Sequence, residues 1–330
     1  MTTTDTPPAR SAQQHQLIGV TAAFAIGTLV AIQSRLNGEL GDRLDDGIAS
    51  AVVSFSSGLV VLLIICALVP RVRAALASVW RTIRTPSAGQ GLLRWWQCLG
   101  GLAGALFVMS QGITVTVIGV AVFTVAAVGG QAVTSLVVDR VGLGPAGPQP
   151  YTTLRLIGAV VALAAVVLAV SDRLNHPSGL LLAILPALAG VATAVQQAIN
   201  GRVARTASPD AYGAIAAGVI NFLVALSATL VVLVVDLLFR GWPRSLPSEP
   251  WLYFGGACGV IFISAAASVV RVVGVFVLGL ATLAGQLIAS LVIDLAVPAG
   301  ERDVTIPVVA GTLLALVAVV VAAIPNLRRT

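Results

Sequence analysis

AIQSRLNG, residues 31–38, closes one long apolar run, and AVQQAING, residues 194–201, closes another. Both place a Gln four positions before an Asn-Gly pair. One match of this size decides little, so the flanking sequence has to repeat as well, and it does. Shifted by 163 positions, Gln33, Asn37 and Gly38 fall on Gln196, Asn200 and Gly201. A shift of 167 lays Ser54-Phe55 on Asn221-Phe222. A shift of 155 lays WQCLGGLAGALF (96–107) on WLYFGGACGVIF (251–262), and GQAVTSLVVD (130–139) on GQLIASLVID (285–294). IGAVVALAAVV (157–167) lies on AGTLLALVAVV (310–320). Collinear matches whose offset stays between 153 and 167 argue for internal duplication.

Composition sets the class. The 330 residues are 58% hydrophobic and 10% charged, with a mean hydropathy of +1.00. A soluble domain of this size cannot hide so much apolar surface behind so little charge. Successive apolar runs near twenty residues fit a helix crossing a hydrocarbon layer about 30 Å thick. Runs such as LIGAVVALAAVVLAV lack the alternation of a membrane barrel. The chain is therefore expected to be an all-α integral membrane protein. Ten spans are read: 17–36, 48–69, 93–113, 117–138, 154–171, 179–199, 212–235, 251–270, 273–295 and 306–325. Four segments follow: a disordered cytoplasmic tail (1–16), a first five-helix repeat (17–171), a linker (172–178) and a second five-helix repeat (179–327). The apolar run after the tail reads as an uncleaved span rather than a secretory signal, since Arg10 is its only positive flank.

All 19 basic residues are Arg, and their distribution speaks to topology more than to nucleic acid, which is not expected as a partner. With both termini on one side, the terminal segments and even-numbered loops hold thirteen Arg and the opposite face six. The positive-inside rule then puts the N- and C-termini in the cytoplasm of a bacterial inner membrane. Five spans per half is odd, so the halves enter from opposite sides, an inverted-repeat arrangement common in secondary transporters. RVRAALASVWRTIR (71–84) spaces Val72, Leu76, Val79, Trp80 and Ile83 as a helix stripe, which reads as a helix lying on the cytoplasmic surface with its arginines near headgroups.

Polar residues within apolar spans carry the functional information, because lipid penalises them. Gln33 and Asn37 share a helix face, as do Gln196 and Asn200. Gln131 and Ser135 in the fourth span are echoed by Gln286 and Ser290 in the ninth, and Ser54 and Asn221 complete the set. Uncharged amides offer donors and acceptors to a solute that must later leave. The same groups also join helices, and both readings stay open for the glutamines. Asn37-Gly38 and Asn200-Gly201 read first as helix ends. Gly100-x-x-x-Gly104 and Gly255-x-x-x-Gly259 read as packing seams, and Trp95, Trp96 and Trp251 as interfacial anchors. Asp139 and Asp294 occupy matched span ends and are the candidates for coupling, with a solvated helix end as the preferred reading. Cys66, Cys98 and Cys258 lack metal-ligand spacing, His15 and His176 lie outside the spans, and no phosphate-binding loop occurs. No catalytic residue, metal or cofactor is expected.

Five spans per half, QxxxNG ending each first span, GG-x-x-G opening each third and GQ-x-x-x-S in each fourth resemble the YdcZ-type branch of the drug/metabolite transporter superfamily, in a fused ten-span form. The resemblance covers residues 17–325. It implies an inner-membrane carrier, an exporter of small molecules, built as two inverted five-helix units around a central cavity. It also implies that the first, third and fourth spans of each unit face that cavity, bringing Gln33, Gln131, Gln196 and Gln286 toward it. Four-span multidrug members exchange protons on a first-span Glu. Here Gln33 and Gln196 stand at those positions instead, a departure that argues against drug/proton antiport.

The reading that results is a secondary transporter for a small polar or amphipathic solute, working by alternating access. Its partners are the solute and the bilayer, and it is a monomer or homodimer. A non-transporting partner or sensor subunit is the alternative. A lipid-acting membrane enzyme or scramblase stands further off, because no titratable cluster gathers at one interface.

Overall fold

The computed structural model describes residues 9–85, 93–144, 147–148, 150, 152–171, 177–297 and 304–327, without the side chains of 9–16, 177–181, 263–264, 266–268, 270–278, 280 and 322–327. The order is α1 (Ala9–Leu44), α2 (Gly47–Leu68), α3 (Pro70–Arg84), a 3-10 turn (Trp95–Gly100), α4 (Gly101–Val141), α5 (Thr153–Ala169), α6 (Pro177–Ala207), α7 (Ala211–Arg240), a second 3-10 turn (Pro250–Phe254), α8 (Gly255–Ala296) and α9 (Ile306–Leu327). No strand occurs among the described residues. Leu17–Leu44, Gly47–Leu68, Trp95–Val141, Leu182–Ala207 and Ala211–Arg240 are long and apolar enough to cross a membrane. The protein is an all-helical membrane protein. Its turns follow local chemistry. Asp45 takes a left-handed backbone (φ 54°) between α1 and α2, and Asp46 then caps α2 by accepting from Ile48 N and Ala49 N. Asp210 starts α7 and Thr152 starts α5 in the same way.

α4 is 41 residues long and α8 is 42, and neither runs straight. A β-carbon on Gly104 would lie 2.8 Å from Gln196 Nε2 on α6, while one on Gly130 would run into the carbonyl oxygen of Ala187. Those two α4 positions are 26 residues apart, about 39 Å in a straight helix, whereas their partners on α6 are nine apart, about 14 Å. α4 therefore folds back, and the break is at Gly119, whose φ of 81° and ψ of 159° lie outside the helical region. α8 does the same against α1. Gly259 faces Gln33, and Gly285 abuts the backbone of Phe24, again 26 residues against nine. Its later arm runs parallel to α1: Thr282 Oγ1 donates to Ala23 O at 3.3 Å, and Gln286 N faces Gly27. The two expected spans of each pair thus occupy the two arms of one folded helix.

The pairings recur with the offsets seen in the sequence. Gly190 packs on the carbonyl of Ala127 as Gly27 packs on that of Thr282, and Gly101 meets the Asn221 carbonyl as Gly256 meets that of Ser54. α2 and α7, which match in sequence, run antiparallel. At one end, beside α3, Arg71 Nη1 donates to Tyr212 Oη (3.4 Å) at the start of α7, and Ser78 Oγ donates to Thr206 O (3.3 Å). At the far end, Arg244 N donates to Leu44 O (2.9 Å), and Arg244 and Arg43 pair with Asp45 (3.3 Å) and Glu249 (3.0 Å). Between the ends, Phe55 and Phe222 meet edge to face at 5.4 Å.

Several expectations need correction. Asn37 and Asn200 do not end helices: α1 runs seven residues past Asn37 to Leu44, and α6 seven past Asn200 to Ala207. Gly38 and Gly41 explain the first case. They let α1 continue in backbone contact with α4, where a β-carbon on Gly41 would overlap the Gly112 carbonyl. Glu39 and Asp42, expected in the first loop, lie in that extension. The helix expected at 71–84 forms, with Val72, Ala75 and Val79 buried, and Ala75 and Val79 pack with Val203 and Ala207 of α6 and Ala216 of α7. Trp80 is exposed, with the Arg84 guanidinium 4.3 Å above its ring.

Gly27→Val and Gly190→Val should each destabilise the protein by about 1–3 kcal/mol or more, because a side chain there meets backbone rather than a movable neighbour. Gly279→Ala, with open space around its would-be β-carbon, should be neutral. Thermal unfolding in detergent measures all three.

Candidate functional site

Three of the predicted polar residues gather around α8. Gln33 and Asn37 of α1 and Ser54 of α2 converge on Gly255 and Gly259, where a β-carbon would overlap Asn37 Oδ1, lie 3.1 Å from Ser54 Oγ and lie 3.6 Å from Gln33 Nε2. The glycines are needed because the polar tips lie directly on the α8 backbone. Asn37 is fully buried. Its Nδ2 donates to Gln111 Oε1 at 2.7 Å, and Gln111 Nε2 donates to Ser34 Oγ at 2.8 Å, which donates to Val30 O at 2.9 Å. The backbone carbonyl of Asn37 accepts from Ser50 Oγ at 2.7 Å. Asn37 Oδ1 is buried without a hydrogen-bond partner.

Their three counterparts gather around α4. A β-carbon on Gly104 would lie 2.8 Å from Gln196 Nε2 and 3.3 Å from Asn221 Oδ1, and one on Gly100 would lie 2.5 Å from Asn200 Oδ1. Gln196 Nε2 donates to Asn221 Oδ1 at 3.1 Å, leaving the buried Asn221 Nδ2 unpartnered. The halves share one plan, an amide pair on α1 or α6 with a polar residue on α2 or α7 facing a glycine stripe. They differ in what holds the amide pair. Gln111, which holds Asn37, matches Ala266 under the 155 shift, so Asn200 has no equivalent clamp in the sequence.

The fourth- and ninth-span pairs are placed differently. Gln131 Nε2 donates to Gln197 Oε1 at 3.1 Å between α4 and α6, and Ser135 Oγ returns to Ala132 O in its own helix. Gln286 is buried where α8 crosses α1 at Gly27, and the buried Ser290 donates to Leu287 O. Ser135 and Ser290 therefore spend their donors within their own helices.

The two aspartates part company. Asp139 is half-exposed and pairs with Arg155 at 3.0 Å. Asp294 is 5% exposed, which corrects the reading of a solvated helix end. Its Oδ1 accepts from Val120 N at 3.0 Å and its Oδ2 from Ala121 N at 2.7 Å. It thus caps the arm of α4 that begins after Gly119, supplying acceptors that the broken backbone lacks. A β-carbon at Gly119 would lie 2.7 Å from Asp294 Oδ2. Among the described residues, no group of three His, Cys, Asp or Glu side chains is placed to hold a metal.

Gln111, Ser34 and Gln197 belong to these networks and were not singled out from sequence. Gln111 had a signal, being an amide within the third span, but its place near the span end hid its burial.

Gln111→Leu should cost about 1–3 kcal/mol by stranding Asn37 Nδ2, and adding Asn37→Leu should recover part of that loss. A double-mutant cycle read by thermal unfolding gives the coupling, and strictly additive losses would dissociate the pair.

Comparison with known proteins completes the site. No curated protein matches the chain. Fourteen chains of solved structures do, and one, titled only "Crystal structure of protein", covers 96% of this chain and 98% of its own at 17% identity and a TM-score of 0.54, a likeness of fold alone. The family described as "Putative inner membrane exporter, YdcZ" matches twice, over residues 18–168 and again over 181–321. The chain carries two copies of that family's unit and belongs to the YdcZ family of inner-membrane transporters.

Proposed function

We propose that the protein is a secondary carrier that moves a small, uncharged polar or amphipathic solute out across the inner membrane by alternating access. In this reading the chain crosses ten times, as two inverted five-helix units, with both termini and α3 in the cytoplasm. The antiparallel course of α2 and α7 supports inversion, and the excess of arginine in the α3-side loops supports the orientation. Outward movement follows the family description. The solute or an ion gradient supplies the drive.

The observation that carries the proposal is the pair of matched half-sites. Asn37 lies seven residues from the far end of α1, and Asn200 seven residues from the α3 end of α6. The two amide clusters therefore sit at different depths on opposite arms of the repeat. Inverted-repeat carriers place their solute between such units and rock one against the other. Gln33 and Ser54 serve one half-site, Gln196 and Asn221 the other, with Gln131, Ser135, Gln286 and Ser290 lining the arms they share. The unpartnered Nδ2 of Asn221 and oxygen of Asn37 offer one donor and one acceptor to the solute. Amides and hydroxyls suit a neutral solute, because a full charge would be left unpaired at this depth.

The protein reconstituted in vesicles and screened for solute flux tests this. Gln33→Leu and Gln196→Leu should each lower flux by about tenfold, the value of one hydrogen bond to the solute, while the variants insert and unfold at normal temperatures. Gln131→Leu and Gln286→Leu should impair flux through the shared arms. Unaltered flux in all four variants would remove these glutamines from the transport path.

A further inference from the structure

Gly119 and Asp294 meet at one break between helix arms, and the sequence repeat supplies a second set of the same parts. Under the 155 shift that aligns the third and fourth spans with the eighth and ninth, Gly119 falls on Gly274, Val120-Ala121 on Val275-Phe276, and Asp139 on Asp294. The first copy is in use. Asp294, at the end of the second arm of α8, accepts from Val120 N and Ala121 N at 3.0 and 2.7 Å, so it joins the second unit to the first unit's broken helix. The second copy would join Asp139, at the end of the second arm of α4, to Val275 and Phe276. Instead, Asp139 is half-exposed and bound to Arg155 at 3.0 Å. Arg155 lies on α5, and the position aligned with it on α9 is the buried Val308.

We propose that Asp294 and Asp139 are alternating positioning residues of the transport cycle, each clasping the other unit's helix break in turn. In the state described here, Asp294 clasps the Gly119 break at the far end and Arg155 holds Asp139 aside. In the opposite state, Asp139 leaves Arg155 and caps the arm that begins after Gly274, and Asp294 releases Val120 and Ala121. The inference rests on the inverted-repeat reading above. In such a repeat, the second unit adopts the first unit's conformation when access reverses. Each clasp exchanges a helix-terminus cap between states that are otherwise similar in packing, so a few hydrogen bonds are enough to set their balance. Gly119 is required because the clasping carboxylate of Asp294 comes within 2.7 Å of the position a β-carbon would take.

Two cysteine pairs in a chain with Cys66, Cys98 and Cys258 replaced by Ala test the proposal in membranes, without a known solute. The pairs are Ala121→Cys with Asp294→Cys and Asp139→Cys with Phe276→Cys, joined by a short bis-methanethiosulfonate. Each pair should crosslink when present alone. In the four-cysteine chain, a molecule linked at one pair should not link at the other. Asp294→Ala, made in the 139–276 chain, should raise crosslinking there about fivefold, as expected from loss of a helix cap. A change that merely loosened the fold would lower it. Asp294→Asn, which keeps one acceptor oxygen, takes the place of Asp294→Ala if that variant fails to insert, with a smaller rise. Failure of the 121–294 pair to link would overturn the clasp itself. Failure of the 139–276 pair in both backgrounds, or both links in one molecule, would overturn the alternation. These results do not depend on flux, so a carrier that fails here still stands or falls separately on the vesicle assay.

Discussion

Everything in this fold depends on glycines that let one unit's helices lie directly on the backbone of the other's. α1 meets the second arm of α8 at Gly27 and Gly285, and α6 meets the second arm of α4 at Gly130 and Gly190. In a bilayer the hydrophobic effect does not draw helices together, so association rests on close packing and on hydrogen bonds. The glycines supply the first and create the setting for the second. Once a backbone is bare, a neighbouring amide can lie on it, which is how Asn37 comes against Gly255 and Asn200 against Gly100. The same close approach at Gly119 admits the carboxylate of Asp294. Packing, candidate site and clasp thus share one device.

The arrangement is crosswise. The first helix of each half pairs with the folded third-and-fourth helix of the other, so neither half is closed without its partner. This places the amide clusters between the units rather than inside either one. The two clusters differ in local support. Gln111 locks Asn37 within the first half, and the matched Ala266 offers no such bond. Duplication preserved the framework of the site while letting its two ends diverge.

Much of this was legible in the sequence. The class follows from composition, the duplication from offsets of 153 to 167 residues, and most of the polar set from amides inside apolar runs. What was misread depends on tertiary contact. Asn37-Gly38 has the local chemistry of a helix end, but Gly38 and Gly41 serve to carry α1 onward against α4. Asp294 looks like a solvated end because its partners, Val120 N and Ala121 N, are 174 and 173 residues away and are backbone groups, which leave no trace in side-chain composition. Gly119 is one glycine among thirty-three, and only its backbone angles mark it as the break. The surface stripe of α3 was drawn through Trp80, whereas the buried side runs through Ala75, a residue too small to register as an anchor.

The central claim is that the two units are threaded through the membrane in opposite senses, so that matching segments emerge on opposite faces. The segment after α2 and the segment after α7 are such a match, and each carries an exposed tryptophan, Trp80 and Trp242. Single cysteines at these positions, in a chain otherwise free of cysteine, can be labelled with an impermeant maleimide on intact cells and again after permeabilisation. Opposed units predict that the cysteine at position 242 reacts from outside and the one at position 80 only once the membrane is opened. Labelling of both from the same side would contradict the account.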